Sequence, residues 1–339
     1  MTTAIPVDLS PSTPRVRTDP DEDLLWAIAE AEPENPFHTP AFVRARIRRG
    51  GRPVAFLASS GGMPRGCTAF IVQGRIHRDL EIISAPAVDA AHPLWDAIRA
   101  FCVREGITRL RVQSFGSTGG AIPVIGRESS RHQRREYVLD LGSECPPLTL
   151  SSNHRRNLRR AERAGIEVTE TSEPKACEIH AALIGLSMSR RQERGERVSA
   201  DTPSAMFRHF LETGAGVLFQ AALPGGPVLS SVLVLLAARG AYYHSAGTSP
   251  DGMTQGASQL LIATVAERLR DRGIILFNLG GAAEDQTGLT RFKCGFGSRT
   301  VELETASFDV ARGTRRVITT LVDQLRTGKS PSFPFTKRG

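Results

Sequence analysis

One lysine in the last fifth of the chain has surroundings that suit chemistry. Lys293 stands between Phe292 and Phe296 in the sequence Phe-Lys-Cys-Gly-Phe-Gly. The glycines let the backbone approach closely, and an ammonium held in such a frame can polarise a carbonyl or bind a phosphate. Phe292 and Phe296 also have helical i,i+4 spacing, which equally fits two packed core aromatics beside a solvated lysine. On these residues alone, both interpretations stay open.

A run of arginines near the middle of the chain is the second candidate. Residues 151–165 begin with Ser and Asn, which can cap a helix, and end with glycine. Five arginines stand against a single acid on this predicted helix: Arg155, Arg156, Arg159, Arg160 and Arg163. A charge run is usually a solvated face, but unpaired arginines on one helix repel one another. The run therefore favours a phosphate-rich partner.

The composition is that of a globular protein with a basic surface. Apolar residues make up 40% and charged residues 23% of 339 residues, which excludes a disordered chain. The excess of 43 Lys and Arg over 35 Asp and Glu gives a net charge of +8, which favours polyanionic partners. No signal peptide pattern is visible, and the longest apolar stretch, residues 228–238, is too short for a transmembrane segment.

The cysteines carry no metal-binding pattern. They are odd in number and widely scattered, and none has the spacing of zinc ligands: Cys67, Cys102, Cys145, Cys177 and Cys294. We interpret them as reduced thiols of a cytoplasmic protein without a metal.

Two halves of the chain repeat the same order of predicted elements. Strands at 54–58, 67–73 and 80–85 precede a helix at 93–103, and strands at 217–222, 228–237 and 241–246 precede a helix at 257–270. Gly106 and Gly273 end the two helices, and a further strand follows each glycine. The repeat predicts a tandem duplication of one α/β unit.

This duplication divides the chain into four predicted segments. A loose leader covers residues 1–22, and the first lobe covers residues 23–146. The second lobe covers residues 147–312, and a C-terminal helix and tail cover residues 313–339. A length of 339 residues is too great for one ordinary core and agrees with two lobes.

The second half resembles a known family. Four motifs follow one another in the family's order: Ser-x-Asn-x-Arg-Arg-Asn-Leu-Arg-Arg-Ala, Tyr-Tyr-His-Ser-Ala-Gly-Thr, Asn-Leu-Gly-Gly and Phe-Lys-x-Gly-Phe-Gly. Together they resemble the Fem-type aminoacyltransferases, roughly over residues 151–304. That family belongs to the GNAT-fold superfamily and carries two tandem GNAT lobes. The resemblance therefore implies two α/β lobes, each a mixed, mostly antiparallel sheet flanked by helices.

The resemblance also implies an activity. Fem-type enzymes form an amide or peptide bond without a cofactor, with an aminoacyl-tRNA as donor and an amine as acceptor. Here the acceptor would be an amine of a small peptide, an antibiotic intermediate or a peptidoglycan precursor. Many cell-wall Fem enzymes carry a helical hairpin that binds tRNA, and no long charged heptad segment is present in this sequence. The run from Arg155 to Arg163 would have to bind the tRNA instead.

Site residues carry over from the family by motif. Its Phe-Lys pair maps to Phe292 and Lys293, where Lys293 would stabilise the carbonyl oxygen as it becomes an oxyanion. Arg194, in a Glu-Arg-Gly context, would bind a phosphate or carboxylate of the acceptor. A strand aromatic maps to Tyr242 or Tyr243, only one of which can face the cleft if the strand alternates regularly.

A general base must take the proton of the attacking ammonium. His244, Glu284 and Asp285 are candidates by position. His244 also fits a packed strand residue, the two acids also fit a turn, and substrate or water could accept the proton. Cys294 is interpreted as packing, because no partner arrangement supports a nucleophile.

The donor is predicted from a missing pattern. GNAT enzymes that use acyl-CoA place Gln/Arg-x-x-Gly-x-Gly/Ala at the start of the central helix, where backbone N–H groups bind pyrophosphate. Residues 250–258, Pro-Asp-Gly-Met-Thr-Gln-Gly-Ala-Ser, do not have that spacing. An aminoacyl-tRNA is therefore the expected donor. An N-acyltransferase that uses acyl-CoA or a carrier-bound acyl group is the alternative, and a non-catalytic nucleic-acid-binding module is the third hypothesis.

Overall fold

The computed structural model describes residues 14–60, 63–74, 77–142, 144–145, 148–195, 204–283 and 286–311. The strands in these ranges are β1 (Arg15–Thr18), β2 (Arg52–Ser60), β3 (Met63–Gln73), β4 (Arg78–Ile82), β5 (Arg109–Val112), β6 (Arg127–Asp140), β7 (Glu167–Thr171), β8 (Gly216–Ala222), β9 (Val228–Leu236), β10 (Gly240–Thr248), β11 (Leu276–Gly281) and β12 (Arg299–Asp309). The helices are α1 (Glu22–Ala31), α2 (Pro40–Ile47), α3 (Pro93–Arg104), α4 (Ser152–Arg163), α5 (Pro174–Glu193), α6 (Ser204–Glu212), α7 (Pro250–Gln255), α8 (Ala257–Asp271) and α9 (Thr287–Cys294), with a short 3-10 helix at Pro36–His38.

The described strands form one continuous sheet. Read inward from its two edges, the strands of the two halves follow the same order. The order is β1-β2-β3-β4-β5-β12-β6-β11-β10-β9-β8-β7. In each half the fourth and fifth strands are parallel, β4 with β5 and β10 with β11, and the other pairs are antiparallel. The predicted tandem of two mixed, mostly antiparallel α/β units is therefore confirmed.

The last strands of the two halves exchange places. β12, from the second half, pairs with β5 of the first half, and β6, from the first half, pairs with β11 of the second. β6 and β12 also pair with each other over the length of β12. The two predicted lobes are consequently not separate sheets, and each contains one strand that the sequence order assigns to the other.

The predicted leader is wrong for its last residues. β1 pairs with β2 from Arg15↔Leu57 to Thr18↔Val54, and Asp21 caps α1 by accepting from the Leu24 N–H at 2.9 Å. Residues 1–13 and the predicted C-terminal helix and tail at 313–339 lie outside the described residues. None of the described helices is long and apolar enough to cross a membrane.

Helices cover both faces of the sheet. In the first half α3 buries Leu94, Ile98 and Phe101 against β2–β5, and in the second half α8 buries an equivalent stripe against β8–β11. A third apolar cluster lies between the halves, where Phe42 of α2 stacks on Phe210 of α6 with ring centroids 5.9 Å apart. This cluster joins helix α2 of the first half to helices α5 and α6 of the second half.

Candidate active site

A cleft opens in the second half because β10 and β11 separate. Their parallel pairing ends at Tyr242↔Asn278, while β10 continues to Thr248 and β11 to Gly281. The cleft has a volume of about 2250 Å³ and is lined by the free ends of both strands, by α9, by the first turn of α4 and by the last turns of α5. Concave sites of this kind at the ends of parallel strands are common ligand-binding positions.

Lys293 reaches the point where the two strands part. Its side chain is only 4% exposed, and Nζ donates a hydrogen bond to the carbonyl oxygen of Gly281 at the end of β11. The ammonium lies 5.8 Å from the ring centroid of Tyr137 and 5.7 Å from that of Tyr243. Burial lowers the pKa of Lys293 to about 7, against an opposing effect of Glu136. The interpretation as a solvated lysine is therefore wrong.

Helix α4 packs its first turn against the end of α9. The His154 ring lies 4.5 Å from the ring of Phe296, and His154 Nε2 donates to the carbonyl oxygen of Phe292 at 2.9 Å. The Ser151 N–H donates to the carbonyl oxygen of Gly295 at 2.8 Å. A Cβ at Gly295 would lie 2.4 Å from the His154 ring, so this contact requires glycine. The arginine helix and the lysine motif thus form one packed unit, in which the two phenylalanines also stabilise the core.

The two tyrosines of β10 have different surroundings. Tyr243 faces Lys293, whereas Tyr242 packs edge-on against Phe37 at 4.8 Å and donates its hydroxyl hydrogen to Glu136. Both residues border the cleft, but Tyr243 is the one beside the lysine. Tyr243 is therefore the stronger candidate for the strand aromatic that the resemblance implies, and its role stays a prediction.

His244 lies in a bulge of β10 that breaks the strand's alternation. The register with β9 shifts between Tyr243 and Ser245, so His244 packs against the rings of Phe207 and Phe210 at 6.5 and 4.9 Å. Burial, and the nearby Arg49, lower the pKa of His244 to about 4. A base this weak is poorly suited to deprotonate an ammonium. The other candidate bases, Glu284 and Asp285, lie outside the described residues.

The predicted acceptor-binding arginine borders the same cleft. Arg194 follows α5 directly in an exposed turn, and Arg190 and Arg191 of the last turn of α5 border the cleft beside it. Arg190 Nη2 donates to the carbonyl oxygen of Thr248 at 2.6 Å, which ties the end of α5 to the free end of β10. This side of the cleft is consequently cationic.

The five arginines of α4 lie outside the cleft, on the surface beyond its edge. All are exposed, and their hydrogen bonds go to backbone or neutral groups, such as Arg160 to the Thr254 carbonyl oxygen at 2.7 Å. Within the described part of the chain none of them forms an ion pair with a carboxylate: Arg155, Arg156, Arg159, Arg160 and Arg163. Because Asn153 and His154 of the same helix line the cleft, the basic surface begins at the cleft's edge.

A buried carboxylate beside the cleft has no counterpart among the predicted residues. Glu136 of β6 is completely buried, and its two oxygens accept hydrogen bonds from four donors. They are Arg134 Nη2 at 2.6 Å, the Tyr242 hydroxyl at 2.7 Å, Asn278 Nδ2 at 2.7 Å and the Gly116 N–H at 3.1 Å. The only sequence signal was its position just before the apolar run Tyr-Val-Leu at 137–139. β6 lies beside the lysine only because it pairs with β11 of the second half, and no local sequence pattern predicts that pairing.

The lowered pKa of Lys293 predicts how stability depends on pH. In the unfolded chain the lysine titrates near its ordinary value of 10.5, and in the folded protein near 7. Between these values the unfolded state binds the extra proton, so stability should rise with pH across this window, by about 5 kcal/mol at most. Chemical denaturation from pH 6 to 10 should show this rise in the wild type relative to Lys293→Met. Equal slopes for both proteins would contradict the prediction.

Comparison with known proteins shows which folds this chain resembles. Residues 150–293 match the acetyltransferase (GNAT) domain family. The crystal structure of FemX is similar over 91% of this chain and 100% of that chain, with a TM-score of 0.68 and 12% identity. The tandem GNAT protein from the clavulanic acid biosynthesis pathway is similar over 89% of this chain and 100% of that chain, with a TM-score of 0.52 and 13% identity.

A third similar structure is L-PGS from Bacillus licheniformis, which matches over 90% of this chain and 97% of that chain with a TM-score of 0.51 and 13% identity. A comparison with curated protein sequences gives no match. At these identities the solved structures show the fold. The predicted tandem GNAT fold, with its resemblance to the Fem-type proteins, is therefore confirmed.

Proposed function

We propose that this chain, an acyltransferase with the tandem GNAT fold, transfers an aminoacyl group from a charged tRNA to an amine of a small peptide, an antibiotic intermediate or a peptidoglycan precursor. The observation that carries the proposal is the buried ammonium of Lys293 at the parting of β10 and β11. It lies in a cleft whose edge continues into the exposed arginines of α4.

The reaction is the attack of an amine on an ester carbonyl. The C–N bond forms as the carbonyl oxygen takes up negative charge, and the ester C–O bond to the tRNA ribose then breaks. The amine's proton ends on the ribose oxygen, directly or through substrate or water. In its ammonium form Lys293 stabilises the developing oxyanion, and burial between Tyr137 and Tyr243 strengthens this interaction by excluding water.

The packing of α4 on α8 supports tRNA over acyl-CoA as donor. Gly256, at the start of α8, has φ +78°, and a Cβ there would lie 2.3 Å from the carbonyl oxygen of Asn157 in α4. Arg160 of α4 binds the Thr254 carbonyl oxygen in the same segment. Gly252 of the same segment packs against a backbone carbonyl oxygen of β9. Because both glycines lie against other elements, we infer that this segment does not form an open phosphate-binding loop.

The cationic groups on the two sides of the cleft divide between the substrates. The exposed arginines of α4 bind phosphates of the tRNA, and Arg194, with Arg190 and Arg191, binds a phosphate or carboxylate of the acceptor. Their separate places on α4 and at the end of α5 let both substrates approach Lys293 together.

The deciding experiment offers the purified protein bulk tRNA charged with labelled amino acids, in parallel with labelled acetyl-CoA, together with amine acceptors. RNase-sensitive transfer, or release of the amino acid stimulated by an acceptor, would support the proposal and identify the amino acid. Transfer from acetyl-CoA alone would contradict it and favour the acyl-CoA alternative.

Neutralising part of the arginine surface should weaken tRNA binding and its salt dependence. Each lost phosphate contact reduces the slope of log K against log salt by slightly under one. We expect a slope smaller by about two to three, and at least tenfold weaker binding near 150 mM salt, when three arginines become glutamine. The variant combines Arg156→Gln, Arg159→Gln and Arg163→Gln, and filter binding measures its affinity for tRNA. The control makes the same change to glutamine at three exposed arginines of the first half, Arg17, Arg99 and Arg104. Equal slopes for both variants would contradict a tRNA role for α4.

A further inference from the structure

The carboxylate of Glu136 lies opposite the residue that binds the lysine. Gly281, whose carbonyl oxygen accepts from Lys293, is the direct partner of Glu136 in the pairing of β11 with β6. Gly280 and Gly281 carry no side chains, so the sheet is thin at this point. Arg134 fills part of the gap, since its Nη2 would lie 3.2 Å from a Cβ at Gly281. The charges of Glu136 and Arg134 therefore act on Lys293 across the gap that the two glycines leave.

Glu136 is held where it is by groups from separate elements. Its donors belong to β6 itself, to β10, to β11 and to the loop after β5 that contains Gly116. Arg134 in turn stacks on the Phe115 ring at 4.1 Å. A fully buried carboxylate with four donors costs much to desolvate, and its full set of partners makes its position rigid.

We propose that Glu136 is a positioning residue of the active site, which fixes Tyr242, Asn278 and Arg134 around the parting of β10 and β11 and places a negative charge near the ammonium group of Lys293. This inference rests on the proposed function for the role of the ammonium in catalysis. Through the exchanged strand β6, a residue of the first half would therefore influence the protonation of a lysine in the second half.

Among the charged groups near Lys293, Glu136 and Arg134 have the largest effect on its protonation. The titratable and charged groups on the described elements around α9 are Arg134, Glu136 and Tyr137 of β6, Tyr242 and Tyr243 of β10, His154 of α4, and Arg291 and Cys294 of α9 itself. Burial raises the pKa of Tyr242 and Tyr243 and lowers that of His154, so these three stay neutral near pH 7. Arg291 and Cys294 are exposed, which weakens their effect.

The test is a titration of Lys293 that needs no substrate. The sequence has four lysines, Lys175, Lys293, Lys329 and Lys337, so a protein labelled with 13C at the lysine ε carbon gives few signals to follow by NMR. In Glu136→Gln, the loss of the carboxylate should lower the midpoint of Lys293 by about one pH unit. Glu136→Asp, which keeps the charge, should restore most of this shift. The alkaline limb of the pH–rate profile of acyl transfer should move to lower pH with the midpoint.

The direction of the shift separates positioning from general damage. A site that is merely loosened admits water, and the midpoint of Lys293 would then rise toward the ordinary value of 10.5. A folded Glu136→Gln protein whose midpoint is unchanged or higher would overturn the proposal.

A second variant covers the case in which Glu136→Gln does not fold. Arg134→Gln removes a positive charge near Lys293 and should raise its midpoint, whereas Arg135→Gln, the neighbouring arginine that pairs with Glu302 on the exposed side, should not. An unchanged midpoint in Arg134→Gln would overturn the proposal. Because the titration uses the protein alone, failure to find tRNA-dependent transfer would count against the proposed function and not against this role of Glu136.

Discussion

Replacing Lys293 by methionine is expected to lower kcat/KM for acyl transfer by about 100- to 1000-fold, the usual effect of removing one oxyanion-stabilising donor. Methionine fills a similar volume in a position that is 4% exposed, so the fold should be kept. The loss should fall mainly on kcat, since the ammonium interacts most strongly with charge that exists only in the transition state.

The measurement is steady-state transfer of the labelled amino acid, with Lys175→Met as the matched control. Lys175 is the other lysine of the described residues and lies exposed at the start of α5. Its variant should retain wild-type kinetics. A loss below threefold in Lys293→Met would exclude oxyanion stabilisation by this lysine.

Replacing Gly256 by alanine should give a large loss of stability, for two separate reasons. The residue has φ +78°, which costs a residue with a side chain about 1 kcal/mol. In addition, Cβ would overlap the carbonyl oxygen of Asn157, and relief of that overlap must move α4 away from α8. We expect a total loss of about 3 kcal/mol in the free energy of unfolding.

Gly165→Ala separates the two causes of this loss. Gly165 has φ +71°, but a Cβ at this position would meet no atom within 4 Å, so its variant carries the conformational cost alone. Chemical denaturation of both variants should therefore show a clearly larger loss for Gly256→Ala. Equal losses would mean that α4 and α8 accommodate the methyl group, and the close packing would then no longer argue against an open phosphate-binding loop.

The elements with strong local patterns could be predicted from the sequence. The helices α3, α4 and α8 have an apolar face or clear capping residues, and the lysine motif stands out by its glycines. β6 could not be recognised, because much of its sequence is polar and charged. Its charges are neutralised by the neighbouring strand, as in the pair of Arg131 with Glu304 at 2.7 Å. That pairing joins residues far apart in sequence, which no local pattern reveals.

The candidate site divides in the same way. Phe292, Lys293 and the arginines of α4 belong to motifs and could be named, whereas Glu136 and Arg134 reach the site only through the exchanged strand. The choice between Tyr242 and Tyr243 depended on the elements packed around them, and the position of His244 depended on a bulge, which regular alternation does not anticipate. Motifs identified the candidate substrate-binding groups, and the long-range pairing of strands supplied the groups that surround them.

The exchanged strands also constrain how the protein is made. As the chain leaves the ribosome, β5 is complete long before its neighbour β12, which ends at Asp309. Until then β5 has an unpaired edge, and both strands that flank β6 in the sheet, β11 and β12, are still to be synthesised. Domains that can close on themselves fold in order during synthesis, but neither half of this sheet can close alone. The nascent chain therefore exposes an open strand edge through most of its translation, the kind of edge with which other chains can pair.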